Sequence, residues 1–113
     1  MILIDDLCDK TVTLYRNQKG TVMRQVIQHA HLQCTYRQLA KNYGEEQEKT
    51  FLLVLPAGEG TLQPGDRIWN GVGPEVADWE TFLPAAYPEL MELSFVIPRY
   101  WNGTLSHWEA GHK

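Results

Sequence analysis

The sequence predicts an all-β protein, a small single-domain β-barrel or sandwich of about six or seven antiparallel strands with little helix. Short runs rich in β-branched and aromatic residues recur along the chain, separated by turn-forming glycines, prolines and asparagines. The apolar stretch over residues 79–90 contains Pro84 and Pro88, which prevent a long helix there. This stretch is expected to lie against the core as an irregular strap, which could include one helical turn.

The first part of the chain predicts a β-hairpin. Residues 11–16 alternate as a strand, and residues 17–20 form a turn in which Gly20 can adopt a positive φ. A second strand begins at Thr21 and is expected to end near Tyr36.

Residues 38–49 are polar and include a cluster of glutamates, which is typical of a solvated loop. We expect a long loop at the tip of a second hairpin, or a single helical turn over residues 36–42. The continuous apolar run 51–55, stopped by Pro56, is typical of a central strand buried on both faces.

The second half predicts two tight turns. Pro64 and Gly65 favour the centre of one turn, followed by a short strand over residues 67–69. Residues 93–101 predict a strand whose Pro98 marks an edge or a bulge, since proline cannot donate a ladder hydrogen bond.

Asn102 and Gly103 are the favoured pair for a two-residue type I′ turn, which leads to a returning strand over residues 104–108. This register places Trp101 opposite Thr104 and Tyr100 opposite Leu105.

A chain of 113 residues is near the usual size of one domain, so residues 1–113 are expected to form one unit. Residues 1–10 would be an N-terminal arm and residues 109–113 a short C-terminal tail. The formal net charge of −4 and the scattered basic residues argue against tight nucleic-acid binding. The acidic start and the lack of a long apolar run predict neither a signal peptide nor a membrane span.

No motif predicts catalysis. His29 and His31 share one strand face and could join a metal site, but a site needs three or four ligands. Cys8 and Cys34 lack the spacing of a disulfide framework, a zinc site or a cysteine–histidine pair. The glycine-rich loops carry no phosphate-binding lysine. We expect no enzymatic activity, no cofactor, and no catalytic, cofactor-binding or metal-binding residue.

Aromatic residues are the candidate partner contacts, because tryptophan and tyrosine dominate the energetic centres of protein interfaces. The same side chains could instead stabilise a hairpin by packing across it. The candidates are Tyr36, Tyr43, Trp69, Tyr100, Trp101 and Trp108.

The order of short motifs resembles a family of phage proteins. The sequences are Thr-Val-Thr-Leu-Tyr-Arg at 11–16, Phe-Leu-Leu-Val-Leu-Pro at 51–56, Pro-Gly-Asp-Arg-Ile at 64–68, Gly-Val-Gly-Pro at 71–74, and Ile-Pro-Arg-Tyr-Trp-Asn-Gly-Thr-Leu-Ser-His-Trp-Glu-Ala-Gly at 97–111. Together they resemble the minor capsid or head–tail joining proteins encoded among phage and prophage head genes. The layout is also similar to that of stopper, or head-completion, proteins.

This resemblance implies a non-enzymatic virion structural protein that acts as an assembly adaptor. Its partners would be other head and neck proteins, namely portal, adaptor or tail-completion proteins. It would form a homo-oligomeric ring in the virion and could be a monomer in solution. It would reside in the host cytoplasm during assembly and then in the virion. Stoppers carry a long gating loop, for which residues 36–49 are the equivalent in this chain.

Two other classes of function are left open by the residues. One is an oligonucleotide- or ligand-binding barrel of OB or SH3-like type, which would expose Tyr15, Tyr36 and Trp69 on one sheet face. The other is a small metal-dependent enzyme that uses His29 and His31.

Overall fold

Seven antiparallel strands form one curled sheet, a half-barrel, in the computed structural model of the chain. The structure describes residues 8–41, 44–87 and 89–112, and of residues 34–41 and 44–50 it describes the backbone alone. The strands are β1 (Lys10–Gln18), β2 (Thr21–Lys41), β3 (Gly44–Pro56), β4 (Arg67–Asn70), β5 (Leu90–Glu92), β6 (Phe95–Trp101) and β7 (Thr104–Gly111). Their order across the sheet is β5-β4-β1-β2-β3-β7-β6. In the described part of the chain, the single helical element is a 3-10 turn at Ala57–Glu59, and the all-β prediction is confirmed.

The first hairpin joins β1 to β2 through a turn at Lys19 and Gly20. Their φ angles are 52° and 87°, so both residues are left-handed, as a type I′ turn requires. Gln18 lies opposite Thr21 on either side of the turn. A turn was predicted at residues 17–20; it forms at Lys19 and Gly20, with the positive φ expected at Gly20, while Asn17 and Gln18 belong to β1.

The long strand β2 changes partners along its length. Its first half pairs with β1 as far as Ala30, and from His31 onwards it pairs with β3. The register shifts between the pairs Val12–Ile27 and Lys10–Ala30. A bulge of this kind bends a strand and increases its twist, which lets the sheet curl at this point.

The predicted loop over residues 38–49 is wrong, and so is the helical turn at 36–42. Strand β2 continues to Lys41 and β3 begins at Gly44, and each of residues 31–41 pairs with one of residues 44–54. The polar sequence predicted a loop because a strand is usually recognised by alternating apolar residues, and that pattern appears only where one face of the strand is buried. In the described part of the chain this ribbon has two strands only, and a two-stranded ribbon needs no such pattern.

The turn before β4 is confirmed. The Asp66 N–H donates to the Gln63 carbonyl oxygen at 3.1 Å, and Gly65 has a φ of 91°. Pro64 and Gly65 therefore occupy the two central positions of a type II turn.

The single strand predicted at residues 93–101 begins two residues later, at Phe95, as β6. A separate short strand, β5, precedes it at Leu90–Glu92. Strand β5 pairs with β4, and β6 pairs with β7, so the two strands stand at opposite ends of the sheet. Leu93 and Ser94 join them. The Leu93 N–H donates to the Asp66 carbonyl oxygen and the Ser94 N–H to the Gly111 carbonyl oxygen, each at 2.8 Å. The chain itself thus ties the two ends of the curled sheet together.

The hairpin of β6 and β7 forms as predicted. Asn102 and Gly103 have φ angles of 52° and 77°, Trp101 lies opposite Thr104, and Tyr100 lies opposite Leu105. Strand β6 is an edge strand that contains Pro98, as the proline indicates.

Strand β7 extends to Gly111 and not to residue 108, and Ala110 is fully buried. The expected tail at 109–113 is therefore mostly strand. Residues 1–7 of the expected N-terminal arm lie outside the described residues, as does Pro88.

Two groups of buried side chains hold the sheet. The larger fills the inside of the curl and consists of Val12, Leu14, Ile27, Ala30, Phe51, Leu53, Leu55, Leu62, Ile68, Met91, Leu93 and Ala110. The smaller lies on the outer face and consists of Tyr15, Phe82 and Leu90, with Val22, Trp69, Val76 and Trp79 packed around them. Residues 71–87, which we call the strap, cover this second group. The apolar strap was predicted at 79–90; the observed strap begins earlier, and Leu90 belongs to β5.

Candidate docking surfaces

The strap covers one half of the outer face of the sheet. Side chains of β1 hold it there through hydrogen bonds to the backbone of the strap. Thr13 and Tyr15 alternate with core residues on β1, yet both are fully buried. The Tyr15 hydroxyl donates to the Pro74 carbonyl oxygen at 2.6 Å. The Thr13 hydroxyl donates to the Gly71 carbonyl oxygen and accepts from the Gly73 N–H, each at 2.8 Å.

Arg67 fixes the middle of the strap from below. Its side chain is buried and donates to the carbonyl oxygens of Trp79 and Phe82 at 2.7 and 2.6 Å. Its guanidinium also lies over the Trp79 ring and forms an ion pair with Glu92 at 3.3 Å. No sequence motif identifies this arginine as buried, because an isolated Asp-Arg after a turn is usually exposed.

Two groups near the strap and the neighbouring loop have raised pKa values. Burial raises the pKa of the Tyr15 phenol, while the nearby Arg24 opposes this by favouring the phenolate. Hydrogen bonds to the Asp66 carboxylate raise the pKa of Arg16, which donates to both oxygens of that carboxylate. The Gln63 N–H also donates to Asp66, so this ion pair ties β1 to the loop before β4.

Trp69 and Trp108, two of the six predicted contact residues, are engaged inside the chain. Trp69 stacks parallel to Phe82, with ring centroids 6.1 Å apart. The indole Nε1–H of Trp108 donates to the Gly60 carbonyl oxygen at 3.2 Å, and its ring packs against the core. Both aromatics stabilise the fold through these contacts.

Tyr100 and Trp101 are both 66% exposed at the end of the last hairpin. As successive residues of a strand, they lie on opposite faces of the sheet. Such a pair presents two exposed aromatic surfaces at the end of one hairpin, which suits contact with a partner.

Tyr36 and Tyr43 differ in what can be described. Tyr36 lies in β2 opposite Lys49, and its side chain is outside the described atoms. Tyr43 lies outside the described residues altogether.

The other half of the outer face, over β3, β7 and β6, carries exposed apolar residues. Leu52 and Ile97 are each 37% exposed, and no described segment packs over them as the strap does over Tyr15. The sequence misses Leu52, because it sits within an apolar run that is otherwise buried. Only the pairing of β3 assigns alternate residues of that run to the two faces.

The arm, which we define as residues 34–41 of β2 and 44–50 of β3, is a ribbon of two strands. At about 3.3 Å per residue it is about 25 Å long. Among the described residues, the strands of the arm pair only with each other.

A small apolar cavity of about 170 Å³ opens between the strap and the sheet. Phe51, Pro84, Leu90, Met91, Glu92 and His112 line it. It has room for a group of about the size of benzene, and Glu92 at its rim is already paired with Arg67.

The described residues contain no group of three His, Cys, Asp or Glu side chains placed to hold a metal ion. His29 is exposed and His31 half-buried, on either side of the buried Ala30. Of the three aromatics that a base-stacking platform would use, Tyr15 is buried and Trp69 is stacked under the strap. Within the part of the chain that is described, no helix has the length and apolar character to span a bilayer.

Comparisons with protein-family models, with curated proteins and with solved structures find no match to this chain. A function for this chain is therefore inferred from the fold and the surfaces described above.

Proposed function

We propose that this chain is a non-enzymatic structural protein of a tailed phage or prophage, a minor capsid or head–tail connector component that acts as an assembly adaptor. The family resemblance over residues 11–111 suggests this role. The observation that carries it is the arm, whose two strands continue to pair with each other beyond the described part of β1 and the end of β7.

An isolated two-stranded ribbon is only marginally stable in water. The arm's strands pair with each other beyond the point where β1 and β7 end. Contact with another subunit would stabilise such a ribbon, which suits a role in assembly. The exposed Tyr100 and Trp101 add a second contact of the kind that anchors interfaces.

The distribution of polar groups also supports an adaptor over an enzyme. The buried ion pairs and hydrogen bonds of Arg16, Asp66, Arg67 and Tyr15 all hold loops or the strap in place. Each of these groups is engaged in a structural bond. The net charge of −4 suits a protein that lies near DNA without binding it.

The direct test is the protein content of purified particles. Particles of the phage or induced prophage that encodes this chain would be banded by density and analysed by mass spectrometry. We expect this chain in a fixed, small copy number per particle. Its absence from intact particles would refute the proposal.

A variant lacking the arm sharpens the test. Thr35 lies opposite Thr50, so replacing residues 36–49 with Asn-Gly joins these partners by a two-residue turn. The body should fold as before, while incorporation into particles is lost. Incorporation at the wild-type level would show that the arm has no part in docking.

Titration with single-stranded DNA at low salt distinguishes an adaptor from a nucleic-acid-binding barrel. The adaptor leaves tryptophan fluorescence unchanged, whereas stacking of bases on exposed aromatics would quench it.

A further inference from the structure

The small cavity between the strap and the sheet is lined from both ends of the curled sheet. The described lining residues are Phe51, Pro84, Leu90, Met91, Glu92 and His112. Leu90–Glu92 is the whole of β5, whereas Phe51 lies in β3 and His112 directly follows β7. Residues far apart in the sequence meet here, so the cavity exists only in the folded sheet.

The inner wall of the cavity is apolar. Phe51, Leu90 and Met91 are 8%, 2% and 4% exposed, and the cavity has a volume of about 170 Å³. A water molecule occupies about 30 Å³ in the liquid and needs several polar partners to be held inside a protein. The space therefore has room for several water molecules but offers them few partners. An apolar group that displaces this water is favoured.

Polar groups lie at the opening of the cavity. Oε2 of Glu92 accepts a hydrogen bond from Nε of Arg67 at 3.3 Å, and 43% of the Glu92 side chain is exposed. No described residue donates to Oε1 of the same carboxylate. His112, the other polar lining residue, is exposed. A ligand with an apolar body and a hydrogen-bond donor at one end matches this arrangement.

The charge around the opening selects a cationic donor. Residues 68–98, which include the strap and β5, contain no lysine, arginine or histidine. Their acidic residues are Glu75, Asp78, Glu80, Glu89 and Glu92. Arg67 offsets the charge of Glu92 through their ion pair, whereas the other four acidic residues are exposed. This negative surface attracts an ammonium group and repels a carboxylate.

We propose that the cavity is a binding site for a small apolar amine. A compact aromatic or branched alkyl group of about six to eight carbon atoms fills the space, and its ammonium group donates to the Glu92 carboxylate at the opening. The inference goes beyond the assembly role and is independent of it, because the described lining contains no residue of the arm and neither Tyr100 nor Trp101. For a ligand of this size we expect a dissociation constant of about 0.1–1 mM.

Benzylamine is the probe, titrated at neutral pH into the full chain while the backbone amide NMR shifts are followed. We expect saturable shifts at Phe51, Leu90–Glu92 and His112. Methylamine, which has the charge without the apolar body, should not bind measurably. Phenylacetate, which has the opposite charge, should bind about three- to tenfold more weakly. Diphenylmethylamine should bind no more tightly than benzylamine, because the cavity has no room for a second ring.

The variant Glu92→Gln tests the contact at the opening. It removes the negative charge but keeps an oxygen that can accept from Arg67, so the fold should be retained. Benzylamine binding should weaken about three- to tenfold. Glu89→Gln is the matched control, because Glu89 is exposed and is not among the described lining residues; it should bind benzylamine as the wild type does. Circular dichroism establishes that both variants are folded.

The inference fails if the full chain shows no saturable shifts below about 10 mM benzylamine, if phenylacetate binds as tightly, or if diphenylmethylamine binds more tightly. It also fails if Glu92→Gln binds benzylamine no more weakly than Glu89→Gln. Shifts confined to residues away from the cavity would place the amine elsewhere and would equally overturn it. None of these outcomes bears on the assembly role, which is tested by the protein content of particles.

Discussion

The guanidinium carbon of Arg67 lies 3.9 Å from the centroid of the Trp79 ring. The same side chain donates hydrogen bonds to the carbonyl oxygens of Trp79 and Phe82. One buried residue of β4 thus holds the strap by stacking and by hydrogen bonding, and it also joins β4 to β5 through its ion pair with Glu92.

Replacing Arg67 with methionine should lower the free energy of unfolding by about 2–4 kcal/mol, since two buried carbonyl oxygens lose their donors. Urea unfolding followed by tryptophan fluorescence measures this. Arg99→Met is the matched control, because the ion pair of Arg99 with Glu109 is largely exposed and should contribute less than about 1 kcal/mol. Equal losses in both variants would contradict the anchoring role of Arg67.

Gly73→Ala should disrupt the seating of the strap. A Cβ atom at this position would lie 2.2 Å from the Tyr15 hydroxyl oxygen and 2.8 Å from Cγ of Trp69, so the strap backbone must shift. Overpacking of this kind costs about 1–3 kcal/mol. Thermal unfolding of Gly73→Ala against Gly58→Ala checks it, because a Cβ at Gly58 meets nothing within 4 Å. Unchanged stability for both would argue against close packing here.

The raised pKa of Tyr15 predicts a loss of stability at alkaline pH. The phenol titrates at a higher pH in the folded than in the unfolded state, so the unfolded state releases its proton first. The contribution is intact below the ordinary tyrosine pKa of about 10 and is lost as pH rises through the higher folded value. Urea midpoints between about pH 9 and 11 should fall more steeply for wild type than for Tyr15→Phe. Parallel profiles would exclude Tyr15 as the cause.

Tyr15→Phe also removes the hydroxyl that donates to Pro74. At neutral pH this should cost about 1–2 kcal/mol, because the carbonyl oxygen is left without its partner. The pH experiment therefore compares the slopes of the two profiles and not their absolute values.

The two tryptophans of the last hairpin should respond differently to substitution. Trp101→Ser should change stability by less than about 0.5 kcal/mol because Trp101 is exposed, whereas Trp108→Ala should cost about 2–3 kcal/mol through lost packing. Incorporation into particles should fall for Trp101→Ser while its urea midpoint stays at the wild-type value. Full incorporation of a folded Trp101→Ser variant would show that this side chain is not an anchor.

Local signals in the sequence predict the turns of this fold well. Gly20, Gly65 and Gly103 all have positive φ, and two-residue turns of known chemistry fix the register of the strands beside them. The register Trp101–Thr104 follows directly from the turn at Asn102 and Gly103. Pro98 likewise identifies an edge strand, since proline is excluded from the interior of a sheet.

Features that depend on distant contacts could not be predicted in the same way. Strand β5 exists because Leu90 and Met91 meet β4, and nothing in its own three residues requires a strand. Residues 38–41 pair with residues 44–47 in the same register as the rest of β2 and β3, and local hydrophobicity gives no sign of this pairing. Burial of Trp69 depends on Phe82, which lies in a segment with no regular structure. Trp69 and Trp108 were therefore engaged within the chain by contacts that no single segment encodes.

The joint at Leu93 and Ser94 has a consequence for the rate of folding. Strands β1, β2 and β3 are neighbours in sequence and can form early, but β4 must find β1 and β7 must find β3 across more than fifty residues. Closing a long loop costs chain entropy before the contacts between its ends become favourable, so proteins rich in such contacts fold slowly. Closure at Leu93 and Ser94 requires both distant pairings at once. We therefore expect the meander of β1, β2 and β3 to form before the rest of the sheet. The hydrogen bonds of Leu93 and Ser94 should form in the slowest step of folding.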